Sequence, residues 1–300
     1  MLNIRPRSLI CSLLCCAVAG VALGAPAAPA GSWQAQAEVS YAPELDTGYH
    51  LLYQLKPVEA RAQFAVWQQA HPEDPLASAS EAASYLFEES YRQGVLTSEF
   101  FLDNKRFLGK IAIKPDQELR AAFFAAVQRA QDLARLGLEA NPDDANALFA
   151  MTLSVGFQAD YASLIDKHQR DSLKMIRLAD TYSKKLLAVA PDAADAYLGL
   201  GTANYFIGSL PAIKKFFLRF SGIRGDKKAG IKQLEIAAAH GHYLRPFATI
   251  LLALAALREK QPEVARIQLS ELVAEFPENP LFASELAKLD VPPPAAILPK

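Results

Sequence analysis

The chain has 300 residues, 31 Lys and Arg against 32 Asp and Glu, a formal net charge of −1 and 51% hydrophobic residues. Near neutrality offers no electrostatic footprint for wholesale nucleic-acid binding, and the length suffices for one large domain or one extended array. Cys11, Cys15 and Cys16 are the only cysteines and all lie near the amino terminus, so the body of the chain has no thiol chemistry and no disulfide.

Arg5 and Arg7 precede an apolar run from Leu9 to Leu23, and Ala22, Gly24 and Ala25 close it. A basic start, a short apolar stretch and a small-residue exit predict a secretory signal peptide over 1–24. A cut after Ala30 is the alternative, and an uncleaved N-terminal anchor is the rival reading. The run falls short of the ~20 apolar residues a membrane-spanning helix needs. Leu13 and Leu14 before Cys15 argue against a lipoprotein cut. Export would put the mature chain in the periplasm or outside the cell. Losing two arginines and no acid moves the charge from −1 to about −3. No later run reads as long enough to span a membrane. Residues 25–43, rich in Ala, Pro, Gly and Ser, read as a flexible leader.

From about Leu45 the apolar residues recur at three and four positions, alanine is abundant, and strand-like alternation is hard to find. The breaks between helices resemble one another: Ala-His-Pro-Glu-Asp-Pro at 70–75, Ala-Asn-Pro-Asp-Asp-Ala at 140–145, Ala-Pro-Asp-Ala-Ala-Asp at 190–195 and Phe-Pro-Glu-Asn-Pro at 276–280. Proline cannot continue a helix, and the acids after it suit the first turn of the next one.

Residues 246–279 place Leu252 and Ala253 in a first helix, Ala265 at a small position of a second, then Leu269, Leu272 and a closing Pro277. Around the other prolines lie Ala60, Phe64, Trp67 and Tyr85, then Ala130, Leu148 and Met151, then Ala179, Tyr197, Leu200 and Gly201. In these positions the chain resembles the tetratricopeptide repeat family, a 34-residue helix–turn–helix unit. The resemblance implies an all-α, right-handed superhelix of stacked helix pairs over 44–290, with 291–300 a disordered tail. The prolines are not evenly spaced, so insertions are expected at 94–116, 162–170 and 210–225. A generic irregular α-bundle is the rival architecture. The resemblance further implies a non-catalytic scaffold that takes a protein or peptide partner in a concave groove. Tyr197, Asn204 and Tyr205 are the candidate groove residues.

Between Lys214 and Lys232 there are seven bases and one acid. On a helix, Phe216, Phe217 and Phe220 share an apolar face with Ile213, and Lys214, Lys215 and Arg219 lie off it. Such a segment suits a peripheral membrane contact or an acidic partner, or else packs its aromatics into the array. Asp226 reads as the N-cap of the following helix. The run from Gly199 to Leu234 also resembles, more loosely, part of the inclusion-body-clearance family of tetratricopeptide proteins. The Gly-Asp start at 225–226 is similar to the tetratricopeptide component of TRAP transport systems, which would imply a solute-receptor partner.

No His-Glu-x-x-His, Gly-x-Ser-x-Gly or Rossmann glycine pattern occurs. His240 and His242 flank Gly241 at an expected helix end, without further metal ligands nearby. Asp160, Asp166 and His168 fall at an insertion expected to be solvated. Phe100, Phe101 and Phe107 mark the 94–116 insertion either as a functional loop or as a plug over the core.

Overall fold

The computed structural model describes residues 38–109, 113–210 and 224–290. The leader up to residue 37, most of the basic aromatic segment and the 291–300 tail lie outside the described residues. Within them every regular element is helical. The order is α1 (Pro43–Tyr53), α2 (Pro57–Ala70), α3 (Pro75–Arg92), α4 (Ser98–Leu102), α5 (Asn104–Leu108), α6 (Gln117–Ala140) and α7 (Ala145–Asp160). A π-helical turn at Tyr161–Ile165 extends α7. Then come α8 (Gln169–Val189), α9 (Ala196–Gly208), α10 (Lys227–His240), α11 (Arg245–Arg258), α12 (Pro262–Glu275) and α13 (Pro280–Ala287).

The four proline-marked breaks share one geometry. In each, the residue before proline accepts a hydrogen bond from the N–H three residues on: Asp74 to His71 at 3.1 Å, Asp144 to Asn141 at 3.0 Å, Ala193 to Ala190 at 3.1 Å and Asn279 to Phe276 at 3.0 Å. Proline presets the second position of such a turn. The acids that follow were expected inside the next helix, and three breaks put the polar residue one step earlier, as the N-cap. Asp74 accepts from Leu76 N–H, Asp144 from Ala147 N–H and Asn279 from Leu281 N–H, each at 2.9 Å. A short side-chain acceptor there satisfies an otherwise unpaired N–H, worth ~1 kcal/mol. Asp226 caps α10 in the same way, accepting from Lys228 and Ala229 N–H at 2.9 and 3.1 Å.

The helices pack in pairs, α1 on α2, α3 on α6, α7 on α8, α9 on α10 and α11 on α12, with α13 added at the end. The expected insertions fall inside pairs. The first holds α4 and α5, the second holds the π-turn, and the third separates α9 from α10. The first helices of the pairs form an inner row, α1 on α3, α3 on α7, α7 on α9 and α9 on α11. Burial follows this division. Inner helices α3, α7 and α11 are buried on most faces, whereas outer α6 buries one stripe, Phe123, Ala126, Val127, Ala130 and Ala134. That stripe is the 3.6-residue period of a one-sided helix. The chain is thus an all-α array of helix pairs stacked on their neighbours.

Small residues set the helix–helix distance. Ala60, Ala130 and Ala265 are fully buried in outer helices. Between α9 and α10 the approach is closer still. A Cβ on Gly230 would lie 2.4 Å from the Tyr205 backbone nitrogen, and one on Gly201 would lie 2.9 Å from that of Leu234.

Two findings depart from expectation. By length and composition, Ala145–Ile165 is apolar enough to cross a membrane, and 67% of its most apolar window is buried inside the protein. This run comprises the central inner helix and its π-turn, and its apolarity serves contacts on all sides. The end of the expected flexible leader lies against the body: Val39 and Ala42 are buried, and Ala42 N–H donates to the Tyr243 hydroxyl at 2.9 Å.

Candidate functional site

The array closes on itself. Tyr53, at the end of α1, donates its hydroxyl to the Tyr243 carbonyl at 3.0 Å, and Asn279 Nδ2 donates to the Tyr53 carbonyl at 2.7 Å. Tyr49 stacks on Tyr243 with ring centroids 4.8 Å apart. Asp46 and His242 meet at 2.5 Å, and Lys56 and Glu278 at 2.6 Å. The loop that receives these contacts is pinned by Asp195, a buried carboxylate accepting from the N–H groups of His242, Tyr243 and Leu244 at 2.8, 3.0 and 3.1 Å. Leu244, the N-cap of α11, supplies no side-chain cap of its own. Burial pushes the Asp195 carboxyl up, against the pull of the three N–H groups and nearby His242.

Where the first helices face the last ones, the side chains leave a cavity of about 100 Å³. Leu52 and Leu55 line it from α1 and its exit, Leu86 and Phe87 from α3, and Phe101 from the first insertion. Phe247, Leu251, Leu254 and Leu257 line it from α11, and Leu281 and Phe282 from the α13 end. Its polar lining is sparse, and most of it is internally satisfied. Glu285 accepts from Ser98 Oγ at 2.5 Å and from Lys288 at 2.7 Å. Asn279 is bonded as described.

Asp160 is the exception. It ends α7 and lines the cavity half-buried, and its carboxyl has no hydrogen bond or ion pair among the described residues. Burial alone raises its pKa to about 7, since a low-dielectric surrounding disfavours the charged form. Asp160 is thus half-buried on the cavity wall where the sequence suggests a solvated position. The π-turn carries the chain on from the apolar α7, and Asp166 beyond it pairs with Arg120 at 2.5 Å.

The groove candidates take other places. Tyr205 is 1% exposed, and its hydroxyl lies 3.3 Å from both the Ala255 carbonyl and Glu259 Oε1. Burial, then Glu259, pushes its pKa up to about 12. Asn204 donates to Gln233 Oε1 at 2.8 Å, tying α9 to α10. Tyr197 is partly buried against the main core. The three share no single open face. Lys214, Lys215, Phe216, Phe217, Arg219 and Phe220 lie outside the described residues. In the first insertion, Phe100 is buried with Val95, Phe123 and Tyr161, and Phe107 stacks on Phe206 at 6.2 Å. Those aromatics plug the core, and Phe101 walls the cavity. Among the described residues no group of three or more His, Cys, Asp or Glu is placed to hold a metal ion.

No family model and no curated protein matches the chain.

Proposed function

We propose that this chain is an exported, non-catalytic binding scaffold of the tetratricopeptide type, whose receptor site is the apolar cavity on the inner face. One observation carries the reading: the inner helices converge on a space with an almost wholly apolar wall and one free carboxyl. Ligand sites have that composition, apolar walls with a few polar groups that fix orientation. The tetratricopeptide assignment is supported by the proline turns and by the buried small residues of the outer helices, Ala60, Ala130 and Ala265. Asp160 has no nucleophile or base within hydrogen-bond reach among the described residues, which favours holding a ligand over transforming one.

The space also bears on what is held. A cavity of about 100 Å³ has room for a side chain or a small molecule, not for the extended backbone of a peptide. A protein partner would therefore engage the site through one inserted group, not by lying along a groove.

Native mass spectrometry of the chain isolated from its own cell envelope tests this. The expected mass lacks residues 1–24 or 1–30 and carries an adduct, released on activation, that Leu254→Trp abolishes by filling the cavity. An unprocessed cytosolic chain, or an adduct retained equally by Leu254→Trp, would contradict the proposal.

A further inference from the structure

The cavity wall has a sign. Among its lining residues there is no Lys, Arg or His, and two carboxyls, Glu285 and Asp160. Glu285 is neutralised by Lys288 at 2.7 Å and held by Ser98. Among the described residues nothing matches Asp160. A carboxylate drawn into an apolar wall without a partner is costly, and that cost is incurred when the chain folds, before any ligand arrives. An arriving cation recovers electrostatic energy at a group already partly desolvated by the apolar wall around it. An arriving carboxylate meets like charge and no donor.

Resting on the reading of this cavity as the receptor site, we infer that it takes a small organic cation: a short apolar chain or single ring bearing one ammonium group. The ammonium N–H groups pair with the Asp160 carboxylate, and the hydrocarbon lies against Leu86, Phe101, Phe247 and Leu254. Charge-assisted hydrogen bonds of this kind are about twice as strong as neutral ones. The aromatic rings add favourable faces for a cation. Size sets the other limit. An enclosed apolar cavity of ~150 Å³ accepts benzene; this one is smaller, about 100 Å³, but partly open, so a six-carbon chain fits only with its far end projecting from the mouth.

Three probes with one chain and different heads separate the claims: hexylamine, hexanol and hexanoate, titrated calorimetrically into the mature chain at pH 8. Hexylamine binds at least ~10-fold more tightly than hexanol, and hexanoate binds more weakly than either. Asp160→Asn brings hexylamine to within ~3-fold of hexanol and leaves hexanol unchanged. Leu254→Trp removes binding of both. Because the Asp160 carboxyl titrates near 7, hexylamine affinity falls from pH 8 to pH 5.5 while hexanol affinity holds. Far-UV circular dichroism confirms that both variants fold. Hexanol binding without a preference for the amine, or hexylamine binding unaltered by Asp160→Asn, overturns the ammonium assignment and leaves the receptor site standing. Failure of all three probes to bind the folded wild-type chain overturns both.

Discussion

Asn279 and Tyr53 are 226 residues apart, and the Asn279 side-chain amide donates to the Tyr53 carbonyl at 2.7 Å. The same Asn279 caps α13 through Leu281 N–H at 2.9 Å. One buried side chain therefore ends the array and ties its last helix to its first. Stacking alone leaves the first and last pairs free of each other. Here contacts such as this one close the array, and the cavity is what remains between its ends.

Asn279→Ala removes both bonds and leaves the buried Tyr53 carbonyl without that donor. Loss of a cap costs ~1 kcal/mol, and an orphaned buried acceptor ~1–3 kcal/mol. Urea unfolding of Asn279→Ala is expected to show a loss of about 2–4 kcal/mol. Asn279→Ser keeps a capping oxygen but cannot donate to Tyr53, and falls between wild type and Ala. Equal stability of all three would show that the ends of the array are not joined.

Gly230 lies where α9 and α10 cross, and a Cβ there would meet the Tyr205 backbone nitrogen at 2.4 Å. By helix propensity alone Gly→Ala gains ~1 kcal/mol. Overpacking a crossing that cannot move typically costs ~1–3 kcal/mol. Gly230→Ala is therefore expected to lower the urea midpoint, against the propensity trend. A raised midpoint would mean the two helices separate more easily than their backbone contact implies.

Three inner helices end in the same left-handed turn, at Leu55 (φ 60°), Gly94 (φ 66°) and Lys260 (φ 59°). After each, the next N–H reaches back to the helix: Lys56 to Leu51, Val95 to Ser90 and Gln261 to Ala256, at 3.0, 3.0 and 2.8 Å. Glycine is the residue this position favours. Lys260 is exposed, so Lys260→Gly sacrifices little and is expected to stabilise by roughly 0.5–1 kcal/mol in thermal or urea unfolding.

Asp160 gives a pH signature with a definite sign. Its pKa is about 7 in the fold against an ordinary aspartate value of 3.8, so the native state holds the proton between those values and the unfolded state does not. Stability contributed by this group is full below about pH 4, declines as pH rises, and is lost above about 7. Asp160→Asn lacks this term. The stability difference, wild type minus Asp160→Asn, should fall between pH 4 and pH 8 by an amount on the order of 2–4 kcal/mol. A flat difference would mean that the carboxyl is not enclosed.

Much of the architecture was legible because its signals are local. The repeated proline breaks marked the turns, and Ala60, Ala130 and Ala265 marked close crossings, since both are set by short-range geometry. Gly230 was missed, although Ala-Gly-Ile inside an otherwise regular helix is a signal for close approach. In the sequence Tyr205 reads as a groove residue because it lies one place from the repeat's aromatic position. A step of one residue turns a helix by about 100°, and that carries Tyr205 from an inner face to the α9–α11 contact. Asp160 reads as solvated in the sequence because a polar, insertion-like stretch follows it. It shares a cavity wall with side chains of α1 and α11, which come together only once the array closes, and no local pattern reports that closure.

A crystal structure of the mature chain with hexylamine tests the central claim most directly. The amine is predicted to lie between α1, α3 and α11, its carbon chain against Leu254 and its nitrogen within hydrogen-bond distance of an Asp160 carboxylate oxygen. An empty cavity at saturating amine, with the chain otherwise folded as described, would contradict it.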